Sequence, residues 1–196
     1  MNDRLEMLLE KFRTLERELA MELQKKQEEF FYQIHKKKVR FQREIRQEHR
    51  HLMKAIRSYL GAARPLAIVT APVMWSCLLP VLLMDLMITI SQAVCFPVYG
   101  IPKVRRGEYI VLDRHHLSYL NFIERMNCVF CGYFNGVVAY AREVAARTEQ
   151  HWCPIKHARR VGDIHSRYKY FFDYGDGKRY RQAIETVRRD FEDLKK

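Results

Sequence analysis

Two clusters in the C-terminal half carry residue types that bind metals. Cys128-Val-Phe-Cys131 offers two thiols three residues apart, and Cys153-Pro-Ile-Lys-His157 offers a thiol and an imidazole four apart. Thiolate and neutral imidazole are zinc ligands, and three Cys with one His complete the tetrahedron of a closed structural site. The expected metal set is therefore Cys128, Cys131, Cys153 and His157, with zinc as occupant and iron as the alternative for the same ligands. Two other readings stay open: small buried apolar residues, or a redox pair in the Cys-x-x-Cys unit. His115, His116, Glu124, Glu143, Glu149 and His151 are further possible ligands. None of those carboxylates has the Glu-x-x-His spacing of a di-iron bundle.

A second constellation lies just upstream. Asp113, His115, His116 and Glu124 fall within twelve residues, and spacings near four or eight can bring such groups to one helix face. They are the catalytic candidates of an alternative reading, a lipid-acting or redox membrane enzyme. The string Asp113-Arg-His-His-Leu-Ser-Tyr-Leu-Asn121-Phe-Ile resembles the first motif of glycerolipid acyltransferases, a His followed after four residues by an Asp. The resemblance implies His116 as general base on a lipid hydroxyl, supported by a carboxylate. Asn121 stands where that carboxylate belongs, and no later acyltransferase block is visible.

A longer likeness runs from about residue 97 to 160. Tyr109-Ile-Val-Leu-Asp-Arg-His-His, Asn127-Cys-Val-Phe-Cys-Gly-Tyr-Phe-Asn-Gly136 and Arg147-Thr-Glu-Gln-His-Trp-Cys-Pro-Ile-Lys-His157-Ala resemble a family of uncharacterised bacterial membrane proteins. That resemblance implies a bacterial cytoplasmic membrane setting and no particular activity.

The elements that must position these residues divide the chain into 1–61, 62–102 and 103–196. No Pro or Gly occurs before Gly61, and apolar residues recur every eleven positions. One row is Leu8, Leu19, Phe30, Phe41, Leu52; the other is Phe12, Leu23, Ile34, Ile45, Ile56. A repeat of eleven is about 3.67 residues per turn, so the pattern predicts a nearly straight helix over about 2–60. Its wet stripe implies a partner, most simply a second copy paired as a coiled coil through residues 5–60. The competing expectation is a helix that breaks and folds back.

From Lys36 to Arg57 there are nine Lys or Arg and two acids. An apolar segment follows, whose only charge between Arg64 and Lys103 is Asp85. A run near twenty apolar residues suffices to cross a bilayer, and this run is longer and contains several prolines. Basic residues flank both ends, Arg57 and Arg64 before, Lys103, Arg105 and Arg106 after. Basic flanks mark the cytoplasmic side, so a helical hairpin bending near Pro80 or Asp85 is expected, with a single kinked crossing and a buried soluble core as alternatives. Asp85 is expected to face protein, headgroups or water, as a polar turn or helix cap, with a proton or ligand site as the alternative.

The remaining residues read as a small helical domain. A short strand or extended entry at Tyr109–Leu112 leads to a helix from Asp113 to Met126. Cys128–Cys131 is expected at a turn ending in Gly132, and a second helix starts at Asn135-Gly136. A last helix begins near Lys178. The fold class is thus mainly α.

Net charge is +12, with mean hydropathy −0.36. The expected partner is an anionic membrane surface, with nucleic acid ranking below it because the basic helix adjoins an apolar run. Five cysteines, two of them in the apolar segment, do not form a secreted disulfide framework. The N-terminus lacks the apolar run of a cleavable signal. Together these predict a scaffold or sensor anchored in the bacterial cytoplasmic membrane. Both soluble parts would face the cytoplasm, with a metal-stabilised cap and an oligomerising helical arm.

Overall fold

The computed structural model describes residues 3–29, 32–35, 38–41 and 43–194. The chain is mainly helical and separates into two compact units, Met1–Gly61 with Asp113–Arg125, and Ala62–Leu112 with Met126–Lys196.

The first unit begins with α1, Asp3–Glu29. A two-stranded antiparallel ribbon follows, β1 (Tyr32–His35) and β2 (Lys38–Phe41), in register Tyr32 to Phe41 and Ile34 to Val39. Next come α2 (Arg43–His51) and α3 (Ile56–Ala62). The continuous helix expected over 2–60 is therefore interrupted. Tyr32-Gln-Ile34-His and Lys38-Val-Arg-Phe41 alternate apolar and polar residues, a period of two that belongs to a strand. The eleven-residue rows sample only Ile34 and Phe41 from this stretch and so conceal the alternation; Phe30 lies outside the described residues. In α1 itself Leu15, Leu19 and Leu23 are exposed, 63%, 61% and 53% of their surface remaining accessible.

The apolar segment forms α4, Pro65–Ser76, and α5, Leu78–Tyr99. Pro65 occupies the first helical position, where a missing N–H is harmless. Between the two helices Cys77 keeps right-handed helical angles (φ −62°, ψ −15°), and its N–H bonds the Met74 carbonyl. The chain runs on without reversing, as one apolar stretch of 35 residues, Pro65–Tyr99. The hairpin expected near Pro80 or Asp85 is not formed. Pro80 falls in the first turn of α5, where it breaks no helical bond, and Asp85 lies in the helix interior. At the far end Gly100 adopts φ 68°, a left-handed angle that costs glycine little. Ile101 then donates its N–H to the Phe96 carbonyl, closing the helix with a Schellman-type bond.

A single turn, α6 (Arg106–Tyr109), comes next, and the chain then leaves it extended at Ile110 (φ −97°, ψ 92°) without pairing as a strand. The largest difference is α7, one helix from Phe122 to Trp152, 31 residues long. Cys128–Cys131 lies inside it rather than at a turn. Gly132 and Gly136, readable as breakers, are buried packing positions instead. A Cβ at Gly136 would stand 2.9 Å from both the Ile110 Cα and the Tyr109 carbonyl oxygen, so only glycine lets that backbone cross the helix. The last helix, α8 (Gly177–Val187), is capped by the Asp176 carboxylate, which accepts from the Arg179 N–H.

The core of the second unit is Phe96, Ile101, Val104, Tyr140, Val144 and Phe191. Contacts between the apolar helices and α7 step forward together. Trp75 meets Phe130 (ring centroids 5.0 Å apart), Asp85 meets Tyr133, Gln92 meets Tyr140, and Tyr99 meets His151 (5.1 Å). The elements therefore run parallel, side by side, with the segment after Gly100 turning back to join them.

Candidate functional site

Along α5, Asp85, Thr89 and Gln92 recur at four and three residues, which places them on one helix face. Asp85 is 7% exposed and Gln92 6%. Arg106 grips the Asp85 carboxylate with two donors, Nε to Oδ1 at 3.0 Å and Nη2 to Oδ2 at 2.6 Å. This fork is the strongest geometry an arginine and a carboxylate can form. The Tyr133 hydroxyl donates to the same Oδ2 at 2.7 Å, and Thr89 bridges Asp85 and Tyr140, 3.5 Å from each. Further on, the Gln92 amide serves both backbone groups of Val104. Its Nε2 donates to the carbonyl at 3.2 Å, and its Oε1 accepts from the N–H at 2.9 Å. The amide also reaches the Tyr140 hydroxyl.

The opposite side of α5 is bare. Leu79, Leu82, Leu83, Leu86, Met87, Ile90, Val94 and Val98 are all exposed, and so are Leu66, Val69 and Val73 of α4. Asp85 thus faces protein, as expected of a carboxylate in an apolar run, but as the partner of Arg106 and not as a bend or a cap.

A second polar cluster closes the C-terminal end of the unit. Arg167 is 1% exposed. It bonds Gln150, the Asp193 carboxylate at 2.6 Å and the Asp190 carbonyl at 3.0 Å. Its guanidinium lies over the Tyr170 and Phe191 rings, 4.4 and 5.2 Å from their centroids. Gln150 donates in turn to the Val187 and Asp190 carbonyls. Asp193 is the one charged partner of this buried cation, so removing it leaves the Arg167 charge uncompensated. The Asp193 carboxyl is held below its usual range: burial is the largest single influence and pushes it up, but the hydrogen bond and charge of Arg167, with hydrogen bonds from Tyr170 and the backbone, together outweigh it.

The metal set read from the sequence is not brought together. Cys128 and Cys131 sit within α7, while Cys153 follows its last residue and His157 lies beyond. At about 1.5 Å per helical residue, Cys131 and Cys153 stand roughly 33 Å apart, far outside the reach of one ion. Among the described residues no group of three or more His, Cys, Asp or Glu converges. Glu143 pairs with Arg147 (2.9 Å) and Ser166 (2.7 Å), and Glu149 with His165 (3.1 Å).

The constellation around His115 resolves differently. Arg114–His116 forms a single 3-10 turn, with the two imidazoles 3.9 Å apart. Asn121 precedes α7 and caps it. Its Oδ1 accepts from the Glu124 N–H at 3.0 Å, and Glu124 accepts from the Asn121 N–H at 2.9 Å. This reciprocal pair is a capping box. The Asn that stands in the acyltransferase position, and the Glu named beside it, start a helix.

Sequence reading named Arg106 only as a flanking charge and missed Tyr133, Gln92, Gln150 and Arg167. The spacing of Asp85, Thr89 and Gln92 inside an apolar run was the available signal for Arg106, Tyr133 and Gln92, and there was none for Gln150 and Arg167. Comparison with protein families, with characterised proteins and with solved structures finds no match to this chain.

Proposed function

We propose that this chain is a membrane-surface scaffold, held in the bacterial cytoplasmic membrane by α4 and α5. One observation carries the reading. The apolar helix turns its Asp and Gln inward onto matched partners and leaves its Leu, Ile, Val and Met outward. In water such an array would drive association, since monomeric soluble proteins rarely expose large contiguous apolar patches. In acyl chains it is at equilibrium. One helix, Pro65–Tyr99, is long and apolar enough to cross a membrane.

Two facts support the orientation of this reading. Both flanks are basic, which favours the same cytoplasmic side, and Cys77 does not reverse the chain. An unreversed helix keeps both ends on one side only when it lies along the surface. The side chain of Arg106, 45% exposed while bound to Asp85, then meets headgroups and water rather than hydrocarbon.

The soluble parts face the cytoplasm in this reading. The cap that was expected to rest on zinc is held by Arg167, Gln150 and Asp193, and α1 joins copies through its exposed leucines. The experiment is membrane fractionation followed by vesicle flotation. The protein is expected to resist extraction at alkaline pH and to float with neutral phosphatidylcholine vesicles. Leu86→Lys puts a charge on the bare face of α5, where Leu86 is 56% exposed, and is expected to release it. Wild-type protein that stays soluble without detergent and ignores vesicles overturns the proposal.

A further inference from the structure

Beyond the end of α7, residues 157–164 loop out and, with Tyr168, line an open cleft of about 580 Å³. That size lies within the usual range for a small-molecule site. The lining is cationic: His157, Arg159 and Arg160 all contribute. Lys156, next to it, is engaged by Asp173 at 2.7 Å. The single acid of the lining, Asp163, is held by Arg142 at 2.8 Å, and Arg142 also donates to the Ile164 carbonyl. Its charge is therefore already matched from outside the loop. Neither Arg159 nor Arg160 has an ion-pair partner among the described residues. The loop is anchored at its base, where the His157 N–H donates to the Tyr168 hydroxyl at 3.0 Å and the two rings stack.

We propose that this loop binds a phosphate group, with Arg159 and Arg160 as its charged donors and His157 beside them. Two unmatched guanidiniums next to a neutralised acid leave net positive charge in a concave space. Guanidinium also matches phosphate oxygens in pairs, which ammonium does not. The phosphate is that of a lipid headgroup or of a soluble phosphate ester; the chemistry at the loop is the same. The headgroup source rests on the membrane reading above. Tyr99, His151 and Trp152 cluster at the end of α5, with ring centroids 5.1 to 5.3 Å apart, and such aromatic groups favour the membrane–water boundary. The cleft follows that cluster by a few residues.

The test is arginine modification by phenylglyoxal on the intact protein, read by peptide mass mapping. Three additions are compared: inorganic phosphate, phosphatidylcholine vesicles, and the same vesicles containing phosphatidate. Protection of Arg159 and Arg160 by at least threefold, with Arg179 and Arg181 unchanged, supports the site. Protection by phosphatidate vesicles alone assigns it to headgroups, and protection by inorganic phosphate as well assigns it to phosphate from either source. Equal protection of all four arginines, or protection of none, overturns it. Flotation with neutral vesicles is measured in parallel. A protein that fails to float but is protected by inorganic phosphate loses the membrane reading and keeps the site. One that floats without protection does the reverse. An Arg159→Gln, Arg160→Gln double variant is expected to lose the added affinity for phosphatidate vesicles, and a Lys178→Gln, Arg179→Gln variant of equal charge to keep it.

Discussion

Asp85 accepts three strong hydrogen bonds, two of them from one guanidinium, so the effect of removing it falls mainly on what stays behind. Asp85→Ala strands Arg106 and the Tyr133 hydroxyl, and a loss of about 1–3 kcal/mol is expected, less any part that half-exposed Arg106 recovers from solvent. Thermal unfolding in detergent measures it, and Asp85→Asn, which still accepts from Tyr133, should cost less. His151 sets a pH dependence. Burial pushes its pKa below the ordinary 6.5, against a smaller upward pull from a backbone hydrogen bond at Arg188. The unfolded chain then takes up the proton more readily, so stability is full above about pH 6.5 and declines as pH falls below it. The melting temperature of wild type should drop over that range more than that of His151→Gln. At this scale the sequence was informative about Asp85, whose need for a partner follows from carboxylate chemistry alone. It was uninformative about Arg167, because an arginine in a polar loop looks like any solvated one until Gln150, Tyr170 and Phe191 close over it.

Among the elements, α7 shows where local reading fails. Glycines at 132 and 136 and an Asn-Gly pair are strong turn signals, yet the helix continues through them because tertiary packing outweighs the roughly 1 kcal/mol a helical glycine costs. Gly136 then has a different use, admitting the backbone at Tyr109 and Ile110. Gly136→Ala should destabilise the second unit by about 1–3 kcal/mol through overpacking, while Gly107→Ala, whose added Cβ meets nothing within 4 Å, should not. The comparison of the two variants in one unfolding experiment separates packing from propensity. The N-terminal stretch taught the complementary lesson. Its eleven-residue repeat was genuine in sequence, but the alternation at 32–35 and 38–41 was equally genuine, and backbone pairing between the strands decided for the ribbon. The apolar helices were legible throughout, since a run this long with Asp85 as its one charge reads as helix rather than strand by length alone. Only their lack of a bend was not, because proline in a first turn and proline at a hinge look alike in sequence.

For the whole molecule, a net charge of +12 and the exposed apolar face of α5 are the two features on which the proposed membrane-surface reading rests. The oligomeric arm is tested by size. Removing residues 1–29 is expected to lower the detergent-corrected mass of the particle to a single copy, as measured by light scattering. An unchanged mass would place the contact elsewhere. Sidedness is tested separately, by attaching a membrane-impermeant maleimide to single cysteines placed at Ser58 and at Lys178. Both are expected to react in inverted vesicles and neither in intact spheroplasts.

Cys131 and Cys153 are both exposed, and the rod of α7 holds them apart by some six helical turns. Within one chain they are a fixed ruler that no short bifunctional reagent spans. Any bridge formed between them in a living cell must therefore join two separate chains, so these native thiols can report encounters between copies with no engineered label.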